Sequence, residues 1–122
     1  MKRLQRLLNP KDFRRLYSQG EVVKNDLLVL HYLANELEVV RVGFSVSKKL
    51  GKAVVRNRVK RRLREAIRSA ADDIKPGYDL ILSARVRCRG ASYQEVIGAV
   101  ADVLQRGSLR MVTYTEEAGD QS

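Results

Sequence analysis

Hydrophobic residues recur along this chain in two periods, one of helices and one of strands. Asn9-Pro10 followed by Asp12 has the form of a helix start: Asn as N-cap, Pro at the first position and an acid in the first turn. Phe13, Leu16 and Tyr17 then fall at i, i+3 and i+4, and Gly20 suits the C-terminal stop. From Glu21 the pattern turns to β. A brief strand over Glu21 to Lys24 is followed by the aliphatic run Leu27 to Leu33 and the β-branched run Val39 to Val46, with a turn at Asn35-Glu36. A glycine-containing loop, Ser47 to Lys52, leads into a long helix expected over Val54 to Ile74, closed by Lys75-Pro76-Gly77. Tyr78 to Ala84 reads as another strand. Ser92 with Glu95 three residues on is a capping box for a last helix, whose inner face is Val96, Ala99, Val100, Val103 and Leu104 and which Gly107 ends.

The predicted order is αβββαβα, an α+β class and a two-layer α/β sandwich. Residues 1–8 read as a basic flexible arm, 9–110 as a single domain, and the small, acidic 111–122 as a disordered tail. At 122 residues there is room for one modest core.

Charge sharpens the picture. The chain carries 24 basic and 14 acidic residues; 11 of the bases and one acid, Glu65, lie between Arg41 and Arg68, leaving 13 of each elsewhere. The whole excess of +10 therefore sits in one stretch, which points to a polyanion. No apolar run approaches the ~20 residues of a membrane helix, and the N-terminus has no apolar signal-peptide region. One cysteine, Cys88, excludes an internal disulfide and fits a reducing, cytoplasmic setting. With one histidine besides, a zinc finger is excluded.

On the long helix, Val55, Val59, Leu63, Ala66, Ile67, Ala70 and Ile74 share one arc and are expected on the sheet. Asn57, Lys60, Arg61, Arg64 and Arg68 flank that arc, with Arg58 and Arg62 on the other side near Glu65. A merely solvated face would mix signs to gain i,i+4 pairs. Here like charges repel, a cost that a phosphate-bearing partner offsets, and arginine favours bidentate phosphate contacts. The loop Ser47 to Lys52 has no Walker spacing, so a nucleoside-triphosphate site is not expected; its lysines and amides could add an anion site beside the positive helix end.

The stretch from Arg41 to Glu65, above all Arg56-Asn57-Arg58, Lys60-Arg61 and Arg64, closely resembles the signature of the bacterial ribonuclease P protein subunit. The resemblance extends from about Leu7 to Leu109. It implies a ribonucleoprotein endonuclease, a hydrolase leaving 5′-phosphomonoesters, that removes the 5′ leader of precursor tRNA. Its partners would be the catalytic RNA subunit and precursor tRNA, with no membrane and no small-molecule substrate. The active site and its Mg2+ would lie on the RNA, and no residue of this chain would be catalytic or a metal ligand. The fold implied is that of a small-subunit ribosomal protein domain, with a left-handed βαβ crossover at the basic helix, against the right-handed rule.

By the same resemblance Lys48, Lys49, Lys52, Arg56, Asn57, Arg58, Lys60, Arg61 and Arg64 match the RNA-contacting region, and Arg68 extends it by one turn. An aromatic cleft for the single-stranded leader would take Phe13 and Tyr17, with His31 in place of a third aromatic and Tyr32 next to it. His31 keeps stacking open but makes it weaker or pH-sensitive. By pattern alone Phe13 and Tyr17 read as core; the resemblance leaves core packing and base stacking both open. Asp72, Asp73 and Asp79 read as helix-end solvation and a strand edge in preference to a metal cluster. Two other functions remain open here: a ribosomal or other structural RNA-binding protein, and a self-sufficient nuclease, for which a general base and acid or a carboxylate metal site are hard to find.

Overall fold

The computed structural model describes residues 4–7 and 9–111. Its elements are β1 (Leu4–Arg6), α1 (Pro10–Gln19), β2 (Glu21–Lys24), β3 (Leu28–Ala34), β4 (Val40–Ser45), α2 (Ala53–Ser69), β5 (Tyr78–Ala84) and α3 (Tyr93–Arg106). The five strands form one sheet in the order β1-β4-β5-β3-β2. β4 is parallel to both β1 and β5, while β3 is antiparallel to β5 and β2. α2 thus connects two adjacent parallel strands, a βαβ unit.

Side chains alternate across each strand, and this sends the two halves of the strand sequence to different layers. Leu28, Leu30, Val40, Val42, Leu80 and Leu82 share a core with Val59, Leu63, Ala66 and Ile67 of α2 and Val96, Val100, Val103 and Leu104 of α3. Ile81, on the opposite face of β5, packs with Leu7 and with Leu16 of α1. The α+β sandwich predicted from the pattern is present on the α2–α3 side, and α1 covers part of the other face.

Two boundaries differ from expectation. The region assigned to a loose arm contains β1, in parallel register with Val40 to Val42 and followed by a Leu7 only 2% exposed. Three residues are too few to show a period, and the strand exists only because β4 offers an edge. α2 stops at Ser69, before a 3-10 turn over Ala71–Asp73, and Ile74 is buried beyond the helix. Lys75 precedes Pro76, a position biased away from helix. Of the tail, Met111 is exposed, and 112–122 lie outside the described residues. The caps formed as read: Asn9 accepts from the Lys11 N–H at 2.9 Å, and Ser92 and Glu95 complete the capping box.

Candidate RNA interface

The inner residues of α2 hold it on the sheet, and this fixes which way its cations face. Arg58, Arg61, Arg68 and Asn57 are exposed, and Arg56, Lys60 and Arg64 are half-buried along the flank. Among the described residues no carboxylate pairs with any of these cations: the ion pairs involve Arg15, Arg41, Arg87, Arg106 and Arg110. Arg56 donates through Nε to the Gly51 carbonyl at 3.1 Å. Arg62 donates to the Ala91 carbonyl at 2.8 Å, tying α2 to the segment before α3. Ahead of the helix, Lys48 and Lys49 lie on a 3-10 turn, Lys48–Leu50, exposed like Lys52; its buried Leu50 anchors the turn. Gly51 follows at φ 128°, which a side chain would strain. No side chain caps the first turn of α2. The result is a cationic ridge with a cationic lead-in.

On the opposite face of the sheet three ring-bearing residues gather. Register places His31 beside Ile81 and Ile81 beside Gly43, in one row across β3, β5 and β4. Phe13 of α1 lies on Gly43 so closely that a Cβ there would sit 2.4 Å from the ring tip. Tyr17 meets His31 edge-on, with centroids 4.7 Å apart, and Phe13 is 6.5 Å from Tyr17. Phe13 is half-buried and Tyr17 is 46% exposed, so neither is a sealed core residue. The His31 Nδ1 is buried with no partner among the described residues, and burial lowers the pKa of the ring. Tyr32 points the other way, edge to face with Tyr78 at 6.4 Å on the α3 side, which leaves His31 as the ring beside Tyr17.

The cationic ridge and the group of rings thus lie on opposite faces of one small sheet. The family model Ribonuclease P matches residues 1–107. The chain is 43% identical over 109 residues to the ribonuclease P protein component of Alkaliphilus oremlandii, covering 89% of this chain and 96% of that one. It is 42% identical over 101 residues to that of Clostridioides difficile, covering 82% and 89%. This chain belongs to the ribonuclease P protein family. The RNase P protein of Staphylococcus aureus superposes with a TM-score of 0.80 at 33% identity, over 85% of this chain and 95% of that one. That of Thermotoga maritima gives 0.78 at 27%, over 84% and 96%.

Within this ribonuclease P protein the aromatic wall is held by charges that the sequence reading misplaced. Asp79, expected at a strand edge, sits on the central strand at 0% exposure. It accepts from Arg41 at 2.7 Å on each oxygen and from Asn35 at 2.9 Å, and Arg15 of α1 approaches at 3.5 Å. Arg41 also reaches Asp12 of α1 at 3.5 Å. Arg41 was counted in the cationic stretch, yet its charge is spent inside the fold; its pKa is raised first by the hydrogen bond to Asp79. Asp73 meets Arg110 at 3.7 Å. No three His, Cys, Asp or Glu side chains among the described residues are placed to hold a metal ion.

The sequence reading also passed over Arg85, Arg87 and Arg89. They are exposed on and beside a third 3-10 turn, Val86–Gly90, that packs against the lysine turn and α2. Arg85 donates to the Asn25 carbonyl at 2.9 Å, and Arg87 makes a fully solvated pair with Asp26 at 3.8 Å. Arg89 extends the positive surface beside Lys48 and Lys49. Arginine at every second position was the signal.

Proposed function

We propose that this chain is the RNA-binding subunit of ribonuclease P, holding the catalytic RNA on the α2 ridge and the 5′ leader of precursor tRNA in the aromatic cleft. The observation that carries the reading is the ridge itself: a row of guanidinium and ammonium groups that have no carboxylate partner among the described residues. Like charges at helical spacing raise the energy of the free protein, and phosphates lower it again. In the cleft, Phe13 and Tyr17 offer ring faces and edges to unpaired bases, a sequence-tolerant contact of about 1–3 kcal/mol per base. Endonucleolytic hydrolysis with Mg2+ is assigned to the RNA, and this chain's residues bind and orient strands. The same reading places it in the cytoplasm, where precursor tRNA is matured.

Equilibrium binding to the ribonuclease P RNA across a salt series tests this. Affinity should fall steeply with salt, and Arg61→Ala with Arg64→Ala should flatten the log–log slope by roughly 0.7–0.9 per lost phosphate contact. The pure protein should leave precursor tRNA intact and stimulate the RNA at low magnesium. An unchanged slope, or cleavage by protein alone, defeats the proposal, and selective capture of ribosomal RNA would point to a structural RNA-binding role.

A further inference from the structure

A cleft of about 500 Å³ runs between β1 and the flank of α2, taking Arg64 and Arg68 from the ridge and none of the Phe13, Tyr17 and His31 rings. Its lining includes Gln5 and Arg6 of β1, Phe44 of β4, and Arg64 and Arg68 of α2. Pairing of β1 with β4 sets Arg6 opposite Val42, whose side chain is on the α2 side of the sheet. Arg64 and Arg68 are one helical turn apart, so three guanidinium groups line one hollow. No acid lines it, and none of the three arginines makes an ion pair or side-chain hydrogen bond among the described residues. Leu4, Val42, Ile67 and the Phe44 ring supply an apolar wall.

A hollow continuing from this one, of about 180 Å³, shares Arg6, Phe44 and Arg64 and adds Lys60, Phe13 and Gly43. The trough therefore passes around the end of β1 and reaches the ring that walls the aromatic cleft. Arginines in a concave site select phosphate by paired N–H donors, and the apolar wall selects against a bare inorganic anion. An unpaired nucleotide has both parts.

We infer that the trough between β1 and α2 is a binding site for a nucleotide of single-stranded RNA, its phosphate held by Arg6, Arg64 and Arg68 and its base laid against Phe44. The site rests on the RNA-binding reading above, and it makes Arg6, outside the signature, an RNA contact. The strand comes either from the RNA subunit or from the leader, with the same chemistry.

The test uses the holoenzyme reconstituted with ribonuclease P RNA. Arg6→Ala and Arg68→Ala replace exposed side chains, so both variants should fold. Each is titrated against the RNA subunit and against precursor tRNAs with leaders of increasing length, over a salt series. Arg61→Ala serves as the ridge reference and Arg106→Ala as a control on α3. Loss of a charge-assisted contact should weaken binding by about tenfold and take roughly one phosphate from the salt slope. Loss in the RNA-subunit titration identifies the RNA subunit as occupant; loss only with longer leaders identifies the leader. If Arg6→Ala and Arg68→Ala change neither titration while Arg61→Ala weakens one, the trough is not a site and the ridge stands. If Arg61→Ala is silent as well, the RNA-binding reading fails with it.

Discussion

Arg41 and Asp79 face each other across adjacent parallel strands, joined by two hydrogen bonds of 2.7 Å with the carboxylate wholly out of water. Removing Arg41 would strand the buried carboxylate, a loss of about 3–5 kcal/mol. Asp79→Ala leaves a partly exposed Arg41 that still has Asp12 at 3.5 Å, so it should lower the unfolding free energy by less, about 1–3 kcal/mol in urea titrations. Asp12 and Arg15 of α1 share this network, so the variant should also loosen α1 and raise amide exchange along Pro10–Gln19. Wild-type exchange on α1 in a folded Asp79→Ala protein would separate the pair from the helix.

Gly43 lies under the Phe13 ring, with no room for a methyl group. Gly43→Ala should displace the ring, cost about 1–3 kcal/mol of stability, and weaken leader binding while sparing affinity for the RNA subunit. Comparing precursor and mature tRNA by fluorescence titration checks it. Equal losses for both would remove Phe13 from the leader contact.

His31 is held neutral by burial, its pKa below the ordinary value near 6.5. The unfolded chain therefore takes up a proton more readily than the folded one. Stability from this residue is complete above about pH 6.5 and declines as pH falls through that value towards the folded pKa. His31→Phe should flatten the stability profile between pH 7.5 and about 5.5, read from thermal melts. The pH sensitivity expected of the cleft then takes a definite form: protonation opposes the packed ring beside Tyr17.

Asn25 binds four groups at once, accepting from the Leu27 and Leu28 N–H groups and donating to the Ala99 carbonyl and to Asp102 at 2.9 Å. It pins the β2–β3 hairpin to α3. Asn25→Ala should cost about 2–3 kcal/mol in chemical unfolding, because buried backbone donors lose their acceptor. Asn25 first, and Arg106 second, also hold the Asp102 carboxyl below its usual range. A depressed carboxyl stabilises above its unfolded pKa of about 3.9 and loses that effect on acidification. The variant should therefore lose less stability than wild type between pH 5 and 3.

Local chemistry made much of this molecule legible. The Asn9 cap, the Ser92–Glu95 box and the apolar arcs of α2 and α3 all depend on residues within a few positions of one another. So does the ridge, since helical spacing alone decides which cations share a flank. What stayed hidden depends on distant partners. β1 needs an edge more than thirty residues away in the chain, and an acid in the strand Tyr78–Ala84 gives no sign that Arg41 will cover it. Arg41 itself looked like one more cation of the basic stretch. That Phe13, Tyr17 and His31 would gather was suggested by family resemblance alone, because Phe13 and Tyr17 by themselves fit a core as well; strand register brought His31 to them and turned Tyr32 away.

β5 stands third of the five strands, with two on each side, yet it is the last strand to leave the ribosome. Until it emerges, β4 and β3 have no common neighbour, and β2–β3 is the only pair that adjacent sequence can close. The sheet is thus completed by insertion into its middle, and a growing chain that ends before Tyr78 holds a self-repelling basic helix whose platform still lacks its central strand.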